Sequence, residues 1–245
     1  MKLNTEKITE IIPIPIHLYD CIDSTNNEAK RRAQFDRGYH LYATQRQTAG
    51  RGRRGHDFYS PDTGLYMTLS LRVGRCLQGV QKITCAAAVA VCEAVEELSD
   101  KRPQIKWVND IFVGGKKAAG ILTELLTDSQ NRPRAVIVGI GLNLTTNDFP
   151  DQLADIAGSF GEIEVNALCG RIAAGLISYC ESIDDISIIE KYKLRNLCID
   201  RTISYRKDGT LHKAKAVDID ADGGLIVEEN GEITTLNSGE ISVIL

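Results

Sequence analysis

The sequence predicts an α+β chain in two unequal parts: helices and strands mixed over residues 1–194, then a small all-β unit over residues 195–245. Three observations predict it. Apolar residues recur at helical spacing from Val80 to Leu98, with Ile83, Ala87, Val91, Val95 and Leu98 on one stripe. A nearly continuous apolar run from Ala135 to Leu144 requires a central strand. After Arg195, short strand-like stretches are punctuated by Asp208-Gly209, Asp222-Gly223-Gly224 and Asn230-Gly231, as in a small barrel.

In chain order, Ile14, Ile16 and Leu18 alternate as an opening strand. Thr25 to Glu28 matches a capping box with Thr25 at the N-cap, so a helix follows to about Phe35. Leu41 to Gln45 reads as a short strand and Thr48 to Pro61 as a long polar loop. Leu65, Met67, Leu69 and Leu71 alternate, which predicts a half-buried strand. Ile105–Val108, Ile111–Val113 and Ala118–Leu126 form a hairpin-like series, broken at Asn109-Asp110 and Gly114-Gly115. Val165 to Ile183 is helical, with Leu168, Ile172, Leu176 and Tyr179 on the core face. Beyond Arg195 come Thr202–Tyr205, Leu211–Ile219, Gly224–Glu228, Glu232–Leu236 and Glu240–Ile244. No flexible linker separates the two parts, so they are expected to pack closely.

Composition narrows the function classes. Of 245 residues, 43% are hydrophobic and 25% charged, ordinary globular values, and the net charge is −4. That balance argues against a surface devoted to nucleic acid or anionic membrane. The polar stretch Met1 to Glu10 is unlike a signal peptide, and no run approaches the ~20 apolar residues of a membrane span. The seven cysteines never form C-x-x-C, so reduced thiols and a cytoplasmic location are expected; Cys85 and Cys92 should share a buried helix face. The four histidines are far apart in the chain and make no metal-ligand pattern.

Two stretches carry chemistry. Gly50-Arg51-Gly52-Arg53-Arg54-Gly55 satisfies G-x-G-x-x-G, yet arginines fill the gaps and a polar loop follows, so a Rossmann reading fails. Glycines that let the backbone approach an anion, and guanidinium forks that grip phosphate, suit an anion site; a solvated basic loop or a nucleic-acid contact is also open. Gly115-Lys116 lacks the earlier glycine and the following Ser or Thr of a P-loop. A lysine on a strand beside small residues can instead meet a carboxylate or phosphate. At ~4 Å and an effective dielectric near 20 such a pair gains roughly 4 kcal/mol before desolvation. Asp110 could accept a proton from an incoming amine, or simply face water in a charged hairpin. Gly139-Ile140-Gly141-Leu142-Asn143 permits close approach of a ligand, or close packing. Ser24 and Thr25 are either a helix cap or ligand-facing hydroxyls.

Together these segments resemble the biotin–protein ligase family, in the short form lacking an N-terminal DNA-binding domain. The matching blocks are Asp23-Ser24-Thr25-Asn26, Gln45 through Ser60, Lys106 through Glu124 with Lys-Trp-x-Asn-Asp and Lys-x-Ala-Gly-Ile-Leu, and Val138 through Asn143. The resemblance implies a mixed-sheet catalytic domain related to class II aminoacyl-tRNA synthetases and a C-terminal SH3-like barrel. It implies ATP with Mg2+, and biotin as substrate. Biotinyl-5′-AMP would form first, and biotin would then pass to a lysine of a biotin carboxyl carrier protein of acetyl-CoA carboxylase or a related biotin-dependent carboxylase.

Carried onto matching positions, the resemblance gives Ser24, Thr25, Gln47, Gly50, Arg51, Arg53, Lys117 and Gly120 to biotin. Arg51, Arg53, Arg54, Phe58, Asn109, Lys117 and Asn143 go to the nucleotide, Lys117, Arg53 and Asp110 to the chemistry, and no protein metal site is implied. Trp107 and the strand ending at Asn143 would wall the pockets. Departures are His56 for arginine, Phe58 for a frequent tryptophan, Val108 for proline, and no arginine near Ile244. The short stretch ahead of Asp23 leaves no room for a winged helix, so no DNA role is expected; monomer and homodimer both remain open. A lipoate–protein ligase of the same fold is the nearest alternative and would need a long apolar tunnel. A non-catalytic nucleic-acid-binding protein is the distant one, and would lose affinity steeply with salt.

Overall fold

The protein is described from a computed structural model that covers all residues except 1, 34, 37, 73–78, 208, 238–241 and 245. Cys76, the turn position Asp208, strand positions 240–241 and the Ile244 side chain are sequence expectations that lie outside the described residues. Seven strands form the larger sheet: β1 (Ile16–Tyr19), β2 (His40–Thr44), β3 (Gly64–Arg72), β4 (Gln104–Lys106), β5 (Asp110–Val113), β6 (Lys116–Thr127) and β7 (Pro133–Asn143). Their order is β1-β2-β3-β7-β6-β5-β4, so the apolar run of β7 is indeed central. β1 and β2 pair in parallel, and the remaining neighbours are antiparallel. The fold class is α+β, as expected.

Among the described residues six α-helices accompany the sheets: α1 (Thr5–Thr9), α2 (Thr25–Arg32), α3 (Val80–Leu98), α4 (Asp151–Ala154), α5 (Val165–Glu181) and α6 (Ser187–Leu194). α3 spans the expected residues, but it is buried well beyond one stripe, because the sheet, α5 and α6 all pack on it. α2 lies against β3 and β7. It departs from the capping-box expectation. Ser24 is the N-cap and makes no side-chain cap bond, while Thr25 is already helical and gives its N–H to Gln47 Oε1 at 2.9 Å. A distant amide thus replaces the local cap. The helix ends at Arg32, short of Phe35, which is exposed. α1, α4 and α6 went unpredicted. Asn4 is a true N-cap for α1, its side chain accepting from Lys7 N, and Ile188, Ile189 and Tyr192 of α6 carry a buried helical pattern.

β3 is buried on both faces, correcting the half-buried reading. Its polar side chains do not meet water. Thr68 packs under α2, and the Tyr66 hydroxyl donates to the Pro61 carbonyl at 2.9 Å. On the same face, pairing sets Gly141 opposite both Tyr66 and Gly120, and Gly139 opposite Thr68. Gly139 and Gly141 make a floor that no Cβ could share: one on Gly141 would sit 2.7 Å from the Phe58 ring, and one on Gly139 would overlap Asn26 Oδ1.

The second sheet contains β8 (Thr202–Lys207), β9 (Thr210–Ile219), β10 (Leu225–Glu229), β11 (Glu232–Leu236) and β12 (Ser242–Ile244), in the order β11-β10-β9-β8-β12. It packs closely on the larger part, and one apolar core runs through both. Trp107, expected as a pocket wall, is instead an anchor. It is only 4% exposed, and its indole N–H donates to the Gly223 carbonyl of the barrel at 2.9 Å. Gly223 fits there because φ is +87° and a Cβ would press on Cys85 Sγ at 2.7 Å. Replacing Trp107 with Phe strands that carbonyl and should cost about 1–3 kcal/mol, read as a fall in Tm. An unchanged Tm would show that the barrel does not depend on this contact.

Candidate functional site

A cleft of about 250 Å³ lies between the glycine floor and the arginine-bearing loop. The loop is less open than its glycines suggested. Gln47 N–H donates to the Ser60 carbonyl and Phe58 N–H to the Gly50 carbonyl, which closes it as a hairpin. At its tip Arg53–Gly55 make one 3₁₀ turn, with positive φ at both Arg54 and Gly55. At its base Thr48 and Ala49 donate backbone N–H groups to the carbonyls of Ile22 and Asp23. That contact places the start of α2 and the loop side by side.

One end of the cleft is polar. Gln47 Oε1 accepts from the Thr25 hydroxyl at 3.2 Å as well as from its N–H, while Gln47 Nε2 donates to Ser60 Oγ at 3.1 Å. Behind them the Thr68 hydroxyl donates to Asn26 Oδ1 at 2.6 Å, and Asn26 Nδ2 donates to Glu124 Oε2 at 2.9 Å. Lys30 closes the chain at 2.6 Å from Glu124. Ser24, Thr25 and Asn26 are all buried, so their polar groups keep fixed directions. Asn26, Ser60, Thr68 and Glu124 went unnamed as site residues. The signal for Asn26 was its place directly after Ser24-Thr25; Thr68 gave none, since its alternation resembled a wet face.

The other end carries charge. Lys117 Nζ pairs with Asp110 Oδ1 at 2.6 Å, with 36% and 23% of their side chains exposed. The Lys117 main chain is fixed too: its N–H reaches the Ile156 carbonyl, and its own carbonyl accepts from Gly158. Arg53 Nη1 donates to Asn109 Oδ1 at 3.1 Å. Burial, with Arg54 nearby, pulls the Arg53 guanidinium below its ordinary value, while Asp110 opposes the shift. A cation desolvated in this way gains from an anion that enters beside it.

The remaining predicted residues separate into groups. Gly50 closes the hairpin base, where a Cβ would collide with Ser60 Oγ and the Phe58 carbonyl. Phe58 lies over Gly141 and Gly120 and meets Tyr66 edge-on at 6.2 Å. Arg51 and Arg54 are exposed; Arg51 Nη1 donates to Asn27 Oδ1 at 3.2 Å. Asn143 stands apart from the first cleft. It is buried, donates from Nδ2 to the Gly158 carbonyl at 3.0 Å, and leaves Oδ1 without a partner. It lines a second cavity of about 500 Å³ with Phe112, Phe149 and Ile156. Lys117, Asp110 and Phe58 line both cavities, so the ion pair stands at their junction. Trp107 lines neither of these two.

The Biotin/lipoate A/B protein ligase family matches this chain over residues 18–143, and the Biotin protein ligase C terminal domain matches residues 199–243. The bifunctional ligase/repressor BirA of Bacillus subtilis is 34% identical to it, across 96% of this chain and 76% of that protein. The biotin–[acetyl-CoA-carboxylase] ligase of Paracoccus denitrificans is 38% identical, across 61% of this chain and 62% of that protein. Among solved structures, a biotin protein ligase from Aquifex aeolicus in complex with biotin and ATP has the same fold. Its TM-score is 0.80 at 24% identity, over 94% of this chain and 98% of that one. With a family match across half the chain and a relative aligned over nearly all of it, the chain belongs to the biotin/lipoate A/B protein ligase family.

Proposed function

We propose that this protein is a biotin–protein ligase: it activates biotin with MgATP to biotinyl-5′-AMP and transfers biotin to a lysine of a carrier domain. The observation that carries the reading is the Lys117–Asp110 pair standing where a polar cleft and an apolar-flanked cavity meet. The polar end, with Ser24, Thr25 and Gln47, offers the donors and acceptors that a ureido ring requires. The second cavity offers aromatic and aliphatic surface for a purine, with Phe58 between. The lipoate alternative gives way, because the matched relatives are biotin ligases and the barrel matches a biotin protein ligase domain. The nucleic-acid reading gives way with it.

In the first step the biotin carboxylate attacks the α-phosphate and pyrophosphate leaves. Lys117 exchanges Asp110 for the reacting carboxylate and phosphate oxygens, and Arg53 offsets the charge that develops there. Arg51 and Arg54, on the outer side of the hairpin, reach the remaining phosphate oxygens as the loop folds inward. Asp57 and Asp110 are the carboxylates lining the cleft, and Lys117 already holds Asp110. That donor set suits Mg2+ carried in on the triphosphate and held chiefly by phosphate oxygens and water. In the second step the acceptor amine attacks the anhydride carbonyl and AMP leaves. Asp110, released by Lys117, orients that amine and takes its proton.

The chemistry falls to residues 1–194, while the barrel, residues 195–245, braces them through Gly223. The partner we infer is a biotin carboxyl carrier domain, and the net charge of −4 supports a ligase without a DNA-binding role. No helix among the described residues is long and apolar enough to cross a membrane. Five of the six described cysteines are buried, which supports a reducing, cytoplasmic setting.

The direct test is a streptavidin blot of a carrier domain incubated with this protein, biotin and MgATP, each omitted in turn. Label that does not require both small molecules would refute the reading. Lys117→Ala should lower adenylate formation at least about 100-fold with Tm preserved, as expected when a charge-stabilising group is lost; near-normal ATP–pyrophosphate exchange would remove Lys117 from the mechanism. Arg53→Gly should release the adenylate early, so that lysines of an unrelated bystander protein acquire biotin. Unchanged labelling specificity would deny the hairpin its lid role.

A further inference from the structure

A second group of chemistry-bearing side chains gathers at the β1–β2 edge of the sheet, away from the cleft. The histidines scattered in the sequence are not all scattered in space. Parallel pairing sets His17 opposite Tyr42 and next to His40, and the turn after α2 brings Asp36 to both. His17 Nε2 lies 3.3 Å from His40 Nδ1, and Asp36 Oδ2 lies 3.8 Å from the first and 3.7 Å from the second. The three side chains are 23%, 12% and 14% exposed for His17, His40 and Asp36, so the group is sheltered yet open to a small ion.

Nitrogen ligands at about 2.0–2.1 Å from a tetrahedral zinc ion stand about 3.3–3.4 Å apart. The observed triangle needs to contract by only a few tenths of an ångström on its two carboxylate edges to fit that geometry. We propose that His17, Asp36 and His40 form a binding site for a divalent transition-metal ion of the zinc class, with water completing the coordination.

The surroundings suit the role. Arg32 Nε and the Tyr42 hydroxyl each donate to Asp36 Oδ2 at 2.8 Å, which fixes the carboxylate, and an ion that takes this oxygen displaces one of the two donors. Tyr42 also stacks on His17, with centroids 4.8 Å apart. Burial, followed by Arg32 and His40, lowers the His17 pKa against the opposing pull of Asp36 and Glu28, which favours the neutral imidazole that metals bind. Where one of these rings donates to the other, its proton moves to the far nitrogen of its own ring when both facing nitrogens take the ion, so no net proton is released. Two nitrogen donors select against Mg2+, so the nucleotide's metal does not compete. An occupied site ties the turn after α2 to β1 and β2, at the opposite end of the helix that opens into the cleft at Thr25.

The test is Zn2+ alone, titrated near neutral pH into the metal-free full chain against a chromophoric chelator, with thermal unfolding run in parallel. The site predicts one ion per chain and a raised Tm. His17→Gln and His40→Ala should each weaken binding about tenfold or more, while Cys21→Ser, which removes the exposed thiol, leaves it intact. X-ray absorption of the zinc-loaded wild-type protein should show two imidazole ligands, which keeps the proposal testable even if a variant fails to fold. No binding, binding that survives loss of both histidines, binding lost in Cys21→Ser, or a coordination shell of sulfur or of oxygen alone would each overturn it.

Discussion

Arg53 reaches Asn109 across the cleft, and Asn109 grips β6 at both ends of its own residue. Its side-chain amide donates to the Ile121 carbonyl at 3.0 Å, while its main-chain carbonyl accepts from Ile121 N–H at 2.9 Å. Through that one asparagine the arginine hairpin is referenced to the strand that carries Lys117. Two cations separated in sequence by β3, α3, β4 and β5 thereby face the same small volume. Like charges brought together out of water repel, and the arrangement is tolerable because Asp110 holds Lys117 and the hairpin is closed at its base. The same arrangement is poised for an anion.

The floor beneath these cations depends on residues defined by what they lack. Gly120, Gly139 and Gly141 lie on one face of adjacent strands; the space a Cβ would fill is taken by Asn26 at Gly139 and by the Phe58 ring at Gly141. A reactive mixed anhydride on this floor would be walled by strand backbone below and the hairpin above, with little room for water. The opposite face of the same strands packs on α3 and the general core, so the site rests on the most buried part of the sheet. The barrel joins that support through Trp107 and Gly223.

Much of this was legible in the sequence, and the failures have physical causes. Helical periodicity placed α3 well, and an unbroken apolar run identified β7 as central, because burial on all sides leaves a strong hydrophobic signature. β3 misled because Tyr66, Thr68 and Ser70 are polar enough to look wet. They are buried all the same, Thr68 against Thr25 and Asn26 of α2 and Tyr66 against Phe58, and a sequence does not reveal a polar group's partner. Thr25 and Glu28 form a good local cap on paper; Gln47, far along the chain, outcompetes it. The site residues came from motif resemblance, which named Lys117, Arg53 and Asp110 without saying that the lysine and the aspartate pair. The resemblance also gave Trp107 to a pocket wall, whereas its indole N–H is committed to the barrel. His17 and His40 gave no signal, since only strand pairing brings them together.

The central claim is that Arg53 and Lys117 act on the same developing charge. A double-mutant cycle on single-turnover biotinyl-AMP formation measures this directly, using Arg53→Ala, Lys117→Ala and the pair. Groups acting on one reacting centre should be non-additive: the double variant loses less than the two single losses combined, with a coupling of about 1 kcal/mol or more. Independent losses that simply multiply would contradict the account and assign the two cations to separate tasks.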